Sequence, residues 1–352
     1  MLNKSYHWRI LMAKIISLGE VLLRLSPPQY HTLMQANHLK CQFGGSELNV
    51  LASLAQLGYH VGLVSALPDN DLGKMASQFI LSQQISPAAI IKKEGRLGIY
   101  YYEQGFSVRT NKVIYDRNYS SFWESTLSDY DFTSIFKGVD WFHVSGITPA
   151  LTKDLYEVTR FLMTKAKEGG VKVSIDLNFR ESLWSSFQEA REQLSPLLGL
   201  LDVCFGLEPI YLAGESEDLK DELGLSRPYL DIELLEKITQ KIVQEYGLDY
   251  IAFTQREMEY TNQYMLKSYL YHNNMLYQTD KTGVEVLDRV GTGDAFAAGL
   301  IHALLEKETP QRALEIAMAT FKYKHTIQGD INIMTRDDIA YLIEKETNDI
   351  KR

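Results

Sequence analysis

The 352-residue sequence is poor in cysteine, with only Cys41 and Cys204, too few for a disulfide framework or a cysteine-based metal site. It has no sustained apolar run, so neither a signal peptide nor a membrane span is expected. Walker A and protein-kinase motifs, metal-ligand clusters and internal repeats are also missing. These absences exclude several classes of nucleotide-dependent, metal-dependent and secreted protein, and they favour the reduced cytoplasm.

Positive charge is in short supply as well. The chain has 36 Lys and Arg residues against 45 Asp and Glu residues, a formal net charge of −9, which argues against a nucleic-acid partner. A protein of this kind must concentrate positive charge locally if it handles phosphates.

The length of the chain allows a large buried core. We predict an N-terminal extension over residues 1–12 and an α/β domain over residues 13–345, since the first apolar strand begins near Lys14.

A glycine turn opens a helix late in the chain, at Gly291-Thr292-Gly293-Asp294. Glycines at 291 and 293 would let the backbone N–H groups of residues 291–294 converge on an anion at the positive end of the helix. A carboxylate beside a phosphate needs a chemical reason, and taking a proton from an attacking hydroxyl is one. The alternative is that Asp294 only caps the helix.

A second glycine turn lies near the start, where Gly44-Gly45 precedes Ser46-Glu47-Leu48-Asn49. Strand, turn, helix and strand follow each other here in the rhythm of a parallel sheet. Gly45 could bring the backbone close to a ligand whose hydroxyls meet Asn49, or it could serve only as a tight entry to the helix.

Residues 97–117 break this rhythm, because two β-rich segments surround a turn at Gly105 without a helix between them. Together with strands within residues 20–43, strands within 97–120 could form a small sheet over one end of the main sheet. Tyr100, Tyr115 and Arg117 are the candidate ligand contacts in it. Without further context they are equally typical of an exposed strand.

The remaining pattern predicts strands near 141–144, 171–177, 203–207 and 250–254, a hairpin around Asn273-Asn274, and a last long helix after Thr309-Pro310. Ligands of open parallel sheets bind just past the carboxyl ends of the strands. Asn178 and Arg180 follow such an end.

The two glycine motifs, in this order, resemble the two signatures of the ribokinase-like or PfkB carbohydrate kinases, and the resemblance extends over residues 13–340. It implies a ribokinase-like α/β fold, with a central, mostly parallel sheet flanked by helices and a small β-sheet lid. It also implies an anion hole at Gly291, Thr292 and Gly293, with Asp294 as the catalytic base.

Two arginines point to one subfamily of these kinases, because the guanidinium group of arginine can donate two parallel hydrogen bonds to a carboxylate. Arg117 in 113–117 and Arg180 in 176–180, followed by Leu183-Trp184, look like the subfamily of 2-keto-3-deoxygluconate kinases. That subfamily transfers a phosphoryl group from ATP to the C6 hydroxyl, giving 2-keto-3-deoxy-6-phosphogluconate. The implied substrate contacts are Gly45, Ser46, Glu47, Leu48, Asn49, Tyr100, Tyr115, Arg117, Arg180 and Asp294.

Other readings stay open: a PfkB-family kinase for a neutral sugar such as fructose or ribose, or a non-catalytic sugar or nucleotide sensor on the same fold. The sequence does not choose between a gluco and a galacto substrate. The expected partners are a sugar acid, ATP and further copies of the chain that pair through the edge of the lid.

The resemblance implies ATP and Mg²⁺ as cofactors and leaves open a monovalent cation near Asp288. The implied nucleotide contacts are Asn178, Arg180, Thr254, Arg256, Gly291, Thr292 and Gly293, and Glu208 would recruit Mg²⁺ through water. The chain departs from the family twice. Phe205-Gly206-Leu207-Glu208 replaces an Asn-x-x-Glu pattern, and the glycine that often follows Thr254 in relatives is missing.

Overall fold

Two β-sheets of unequal size organise the chain in the computed structural model, which describes residues 13–133, 135–212, 232–260 and 262–344. The predicted extension, residues 1–12, lies outside the described residues. The strands of the main sheet are β1 (Lys14–Leu18), β4 (His60–Leu67), β5 (Ile85–Lys92), β8 (Trp141–Ser145), β9 (Lys172–Asp176), β10 (Val203–Phe205), β11 (Tyr250–Tyr260), β12 (Gln263–His272), β13 (Met275–Gln278) and β14 (Thr282–Glu285).

The main sheet is largely parallel, as predicted. Its order is β13-β12-β11-β10-β9-β8-β1-β4-β5, with β14 paired to β12. Every neighbouring pair from β11 to β5 is parallel, whereas β12 runs antiparallel to β11, β13 and β14. The predicted hairpin is confirmed, and Asn273 and Asn274 at its tip have φ of 48° and 61°.

Strand β10 is shorter than predicted from the apolar run 203–207. It ends at Phe205 because Gly206 has φ of 101° and turns the chain away from the sheet. Glu208 therefore lies in a loop past the carboxyl end of β10.

Helices cover both faces of the main sheet. They are α1 (Ser46–Gln56), α2 (Asp71–Ser82), α3 (Ile147–Leu151), α4 (Lys153–Glu168), α5 (Phe187–Leu198), α6 (Ile232–Tyr246), α7 (Thr292–Leu305), α8 (Pro310–His325) and α9 (Arg336–Glu344). One apolar core includes residues of α1, α2, α7 and α8, and a second includes residues of α4, α5 and α6.

The start of α8 is as predicted, since the Thr309 side chain accepts from the N–H of Arg312 and Pro310 is the first helical residue. No helix among the described residues is long and apolar enough to cross a membrane.

The second sheet has four strands, β2 (Leu22–Ser26), β3 (Lys40–Gly44), β6 (Gly98–Glu103) and β7 (Lys112–Asp116), in the order β3-β2-β6-β7. The small separate sheet predicted from the sequence is thus present. Its central pair, β2 and β6, is parallel, and both edge strands are antiparallel to their neighbours. All five residues of β7 are exposed, so one edge of this sheet faces solvent.

Candidate active site

The turn before α7 has the geometry that its glycines suggest. Gly291 adopts φ of 78°, and a Cβ atom there would lie 2.2 Å from the carbonyl oxygen of Asp330. Any larger residue would therefore move the turn. Because the first N–H groups of a helix lack intrahelical acceptors, the amides of Gly291, Gly293 and Asp294 are available to an anion, and the N–H of Thr292 makes a long hydrogen bond of 3.4 Å to the carbonyl oxygen of Arg289.

Asp294 is buried in the first turn of α7, and both of its carboxylate oxygens accept hydrogen bonds. Ser46 Oγ donates to Oδ1 at 2.7 Å, and Asn49 Nδ2 donates to Oδ2 at 2.7 Å. Burial raises the pKa of Asp294 to about 6, and these two hydrogen bonds oppose the rise. The carboxylate is thus oriented, and it can exchange a proton near neutral pH.

The two glycine motifs, 245 residues apart at Asn49 and Asp294, meet at this carboxylate. Gly45 makes the approach possible, since it has φ of 151° and a Cβ atom there would lie 2.2 Å from the carbonyl oxygen of Glu20. Asn178 joins the same cluster by donating from Nδ2 to Ser46 Oγ at 3.1 Å. Residues from α1, α7 and the end of β9 therefore form one polar cluster.

Asp176, at the end of β9, is a site residue that the sequence argument missed. Burial, followed by the nearby charge of Asp294, raises its pKa to about 7. The motif Asp176-Leu177-Asn178-Phe179-Arg180 was available as a signal, but it drew attention only to its asparagine and arginine.

Two neighbouring residues of the predicted set, Leu48 and Glu47, have side chains that are engaged within the protein. Leu48 is fully buried in the apolar core and does not line the cavity, because the first turn of α1 directs it away from the ligand side. Glu47 does line the cavity, but its Oε1 accepts from the N–H and Oγ of Ser145 and from Oγ1 of Thr148. That carboxylate ties α1 to the end of β8.

The lid contributes the other end of the cavity. Arg117 is buried and ion-paired with Glu20, with Nε donating to Oε2 at 2.8 Å, and its guanidinium lies 5.7 Å from the ring centre of Tyr115. Tyr100 donates from its hydroxyl to Asp330 Oδ2 at 2.6 Å. These side chains are held in place by partners within the protein.

Arg180 contrasts with Arg117. It is exposed, and its one hydrogen bond is from Nη1 to the carbonyl oxygen of Phe179 at 3.3 Å. With no ion pair to any residue that the structure describes, its guanidinium is free to meet an anionic ligand.

All of these groups surround a cavity of about 520 Å³. The predicted residues that line it are Gly45, Ser46, Glu47, Asn49, Tyr100, Tyr115, Arg117, Asn178, Arg180, Arg256, Gly291, Thr292, Gly293 and Asp294. Arg256 reaches the anion hole, where its Nη2 donates to Thr292 Oγ1 at 3.0 Å.

A second cavity of about 320 Å³ adjoins the first, and Asp176 and Gly293 line both. Thr254 and Glu208 line the second cavity and not the first. Glu208 is buried, with Oε2 3.7 Å from Nη2 of Arg191. Its carboxylate and that of Asp176 are oxygen donors of the kind that suits Mg²⁺. The described residues contain no group of three or more metal-ligating side chains, so water and phosphate oxygens would have to complete the coordination of the implied ion, as is usual for Mg²⁺.

A buried charge cluster behind the anion hole was also missed. Arg24 on β2 donates to Asp288 and Asp330, each at 2.8 Å, and Lys324 on α8 lies beside them. No motif signals these contacts, because the partners of Arg24 are 264 and 306 residues away in the sequence.

Comparison with known proteins agrees with this geometry. The model of the pfkB family carbohydrate kinases matches residues 12–255 and 266–332. A Haloferax volcanii protein named 2-dehydro-3-deoxygalactonokinase is 28% identical over 331 residues, covering 94% of this chain and 96% of that protein.

Solved structures are similar as well. The 2-dehydro-3-deoxygluconokinase of Thermotoga maritima has a TM-score of 0.87 and 34% identity, covering 95% of this chain and 98% of its own. An E. coli protein described as a ribokinase II, solved in complex with ATP and Mg²⁺, has a TM-score of 0.76 and 18% identity, with coverage of 94% and 99%.

Proposed function

Since the chain belongs to the pfkB family of carbohydrate kinases, which use ATP, we propose that it phosphorylates 2-keto-3-deoxygluconate, also called 2-dehydro-3-deoxygluconate, at the C6 hydroxyl. The product is 2-keto-3-deoxy-6-phosphogluconate. One observation carries the proposal: a single cavity is lined by the buried carboxylate of Asp294, by the anion-hole turn and by two arginines, Arg117 and Arg180. The names of the Thermotoga and Haloferax relatives support the class of substrate.

In this mechanism Asp294 accepts the proton of the C6 hydroxyl as the oxygen attacks the γ-phosphorus of ATP. The bond between that phosphorus and the β,γ-bridging oxygen breaks, and ADP leaves. Ser46 and Asn49 hold its two oxygens, so the lone pairs point along fixed directions before substrate arrives. A pKa of about 6 leaves the carboxylate mostly ionised at pH 7, yet basic enough to take part in proton transfer.

The amides of residues 291–294 donate to the oxygens of the transferring phosphoryl group, where negative charge accumulates. Arg256, held at Thr292, adds positive charge on the same side. Mg²⁺, which Glu208 and Asp176 would recruit, supplies further neutralisation of the phosphate charges when bound.

At the sugar end we propose that Arg117 and Arg180 receive the C1 carboxylate. Arg117 is held by its contacts with Glu20 and Tyr115. Arg180 has no ion pair among the described residues, and its charge acts on the nearby carboxylates of Asp176 and Asp294. Tyr100 and Tyr115 would pack against the carbon chain, since their rings lie 5.9 Å apart. Closure of the lid over this end would exclude the water that competes for the phosphoryl group.

One observation favours a second candidate, a kinase for a neutral sugar. The charge of Arg117 is already balanced by Glu20, so the site would tolerate a substrate without a carboxylate. An ADP-release assay with Mg-ATP and a panel of 2-keto-3-deoxygluconate, its galacto epimer, fructose and ribose separates the two. Activity confined to the keto-deoxy acids is the expected result, and preference for fructose or ribose would contradict the sugar-acid assignment.

We further propose that copies of the chain pair through the lid. The open edge of the small sheet, β7, exposes Val113, Ile114 and Tyr115, each by 40% or more, and an exposed apolar strand edge invites pairing. Light scattering on the purified protein would give a dimer mass, and a monomer at all concentrations would contradict the proposal.

A further inference from the structure

Four charged side chains are buried together behind the anion hole. Arg24 lies between Asp288 and Asp330, at 2.8 Å from each, and Lys324 is fully inaccessible to solvent. Two cations thus balance two carboxylates. A buried cluster of this kind is stable only when its charges are paired and its donors are satisfied.

The Lys324 side chain ends at the backbone of the loop between α8 and α9. Its Nζ donates to the carbonyl oxygens of Ile327 at 3.0 Å and Gly329 at 2.6 Å. The N–H of Gly329 in turn donates to Asp288 Oδ2 at 3.0 Å. Carbonyl oxygens with a carboxylate nearby are hard ligands of the sort that a free cation prefers. Here the ammonium group already occupies that position, so a separate monovalent cation near Asp288 does not fit.

The same lysine supports the anion-hole turn. A Cβ atom at Gly291 would lie 3.4 Å from Lys324 Cε and 2.2 Å from the carbonyl oxygen of Asp330. On the other side of the turn, Asp288 Oδ1 accepts from the N–H of Val290 at 3.0 Å. The turn therefore packs directly on the lysine stem and on the loop that the ammonium holds.

We infer that Lys324 is a tethered cation that fixes the 327–330 loop and the anion-hole turn, so that catalysis requires no free monovalent cation at Asp288. Lys324 is a positioning residue, since it acts through the turn and not on the substrate. Burial lowers the pKa of Lys324, and the charges of Asp288 and Asp330 oppose this change. The inference depends on the proposed function in one respect: the turn must bind the transferring phosphoryl group.

The test begins with the unaltered protein, assayed in potassium, sodium and tetramethylammonium chloride at one ionic strength. We expect kcat to change by less than about twofold among the salts, since screening is constant. Strong activation of the unaltered protein by potassium would overturn the inference, because it would show that a free cation is still needed.

Lys324→Ala should open a cation site. Without potassium, kcat/KM for Mg-ATP should fall about ten- to a hundredfold, in line with the loss of a preorganised anion hole, and potassium or ammonium should restore most of it. In thermal denaturation without substrate, potassium should raise the Tm of this variant by about 2–4 °C and leave that of the unaltered protein unchanged.

Lys322→Ala is the matched control, because Lys322 is a half-buried lysine on the same helix outside the cluster, and it should show no potassium response. If Lys324→Ala fails to fold, Lys324→Ser also leaves the position of the ammonium group open and should show the same response. A folded variant with unaltered kinetics and no potassium effect on Tm would contradict the inference, because it would show that Lys324 only fills space in the core. The Tm measurement needs no sugar, so it stands even if the substrate assignment fails.

Discussion

The two ends of the main cavity are built differently. The phosphate end is largely backbone from one contiguous segment, residues 291–294, whose shape depends on Gly291. The sugar end is made of side chains from separate strands and loops. Arg117, for example, is held by Glu20, 97 residues earlier in the sequence.

Because of this difference, substitutions at the two ends should have different effects on the kinetics. A site built mainly of backbone amides offers few side chains to exchange, and a substitution there, including one at Asp294, disturbs the transfer step for every substrate. A side-chain site can be altered one residue at a time, and such changes affect which sugar is bound. We therefore expect substitutions at the phosphate end to lower kcat and substitutions at the sugar end to raise KM.

The largest effect is expected at the phosphate end. Asp294→Asn keeps the size of the side chain but removes the proton acceptor, and kcat should fall about 10²- to 10⁴-fold. Calorimetric titration should show that ATP and the sugar acid still bind. Turnover within tenfold of the unaltered enzyme would remove Asp294 from the mechanism and break the distinction between the two ends.

A smaller effect is expected at the sugar end. Arg117→Ala removes a charge-assisted contact of about 1.5–3 kcal/mol, so KM for the sugar acid should rise about ten- to a hundredfold while kcat changes less. The measurement is steady-state kinetics with 2-keto-3-deoxygluconate as the varied substrate.

Two controls sharpen this result. Removing Arg117 leaves the buried Glu20 carboxylate without its cation, so the double variant Glu20→Gln, Arg117→Ala separates substrate binding from loss of stability. Lys112→Ala alters an exposed residue of β7, the strand that ends directly before Arg117, and should leave KM unchanged. Equal KM values for Arg117→Ala and Lys112→Ala would count against the carboxylate contact.

The smallest effect concerns pH. Asp294 must be ionised to accept a proton, so kcat/KM should decline as the pH falls through about 6, the value to which burial raises its pKa. Asp176 lies nearby, and its pKa is raised to about 7. The acid limb of the profile, that is, the decline of kcat/KM at low pH, therefore reflects the titration of both carboxylates together.

Asp176→Asn removes one carboxylate of this pair and should move the acid limb downward by less than about one pH unit. The pH profile of kcat/KM for both proteins measures this. A limb that stays in place after the substitution would show that the two carboxylates do not interact.

The phosphate end could be predicted from the sequence because its geometry is local. Glycines at 291 and 293 followed by an acid specify the turn and the helix start, and Gly45 to Asn49 do the same for α1. The contact between Asn49 and Asp294 then follows from the parallel arrangement of the sheet, which brings such turns to one edge.

The partners of the charged residues could not be predicted in the same way. Arg117 was expected as a ligand contact, and its pairing with Glu20 was not foreseen. The pairing of Arg24 with Asp288 and Asp330 gave no signal in the sequence. These pairs depend on how the lid strands align with each other and with the main domain. Hydrophobic periodicity fixes which face of a strand is buried but not the distant partner of a buried charge.

The attachment of Arg24 on β2 also bears on how the molecule comes apart on heating. Asp288 precedes α7 and Asp330 lies in the loop between α8 and α9. Detaching the small sheet would therefore separate Arg24 from both carboxylates, and the loss of such a buried pairing costs about 3–5 kcal/mol. We therefore expect the small sheet and the main sheet to lose their structure in one cooperative transition, with no earlier melting of the small sheet as a separate foldon.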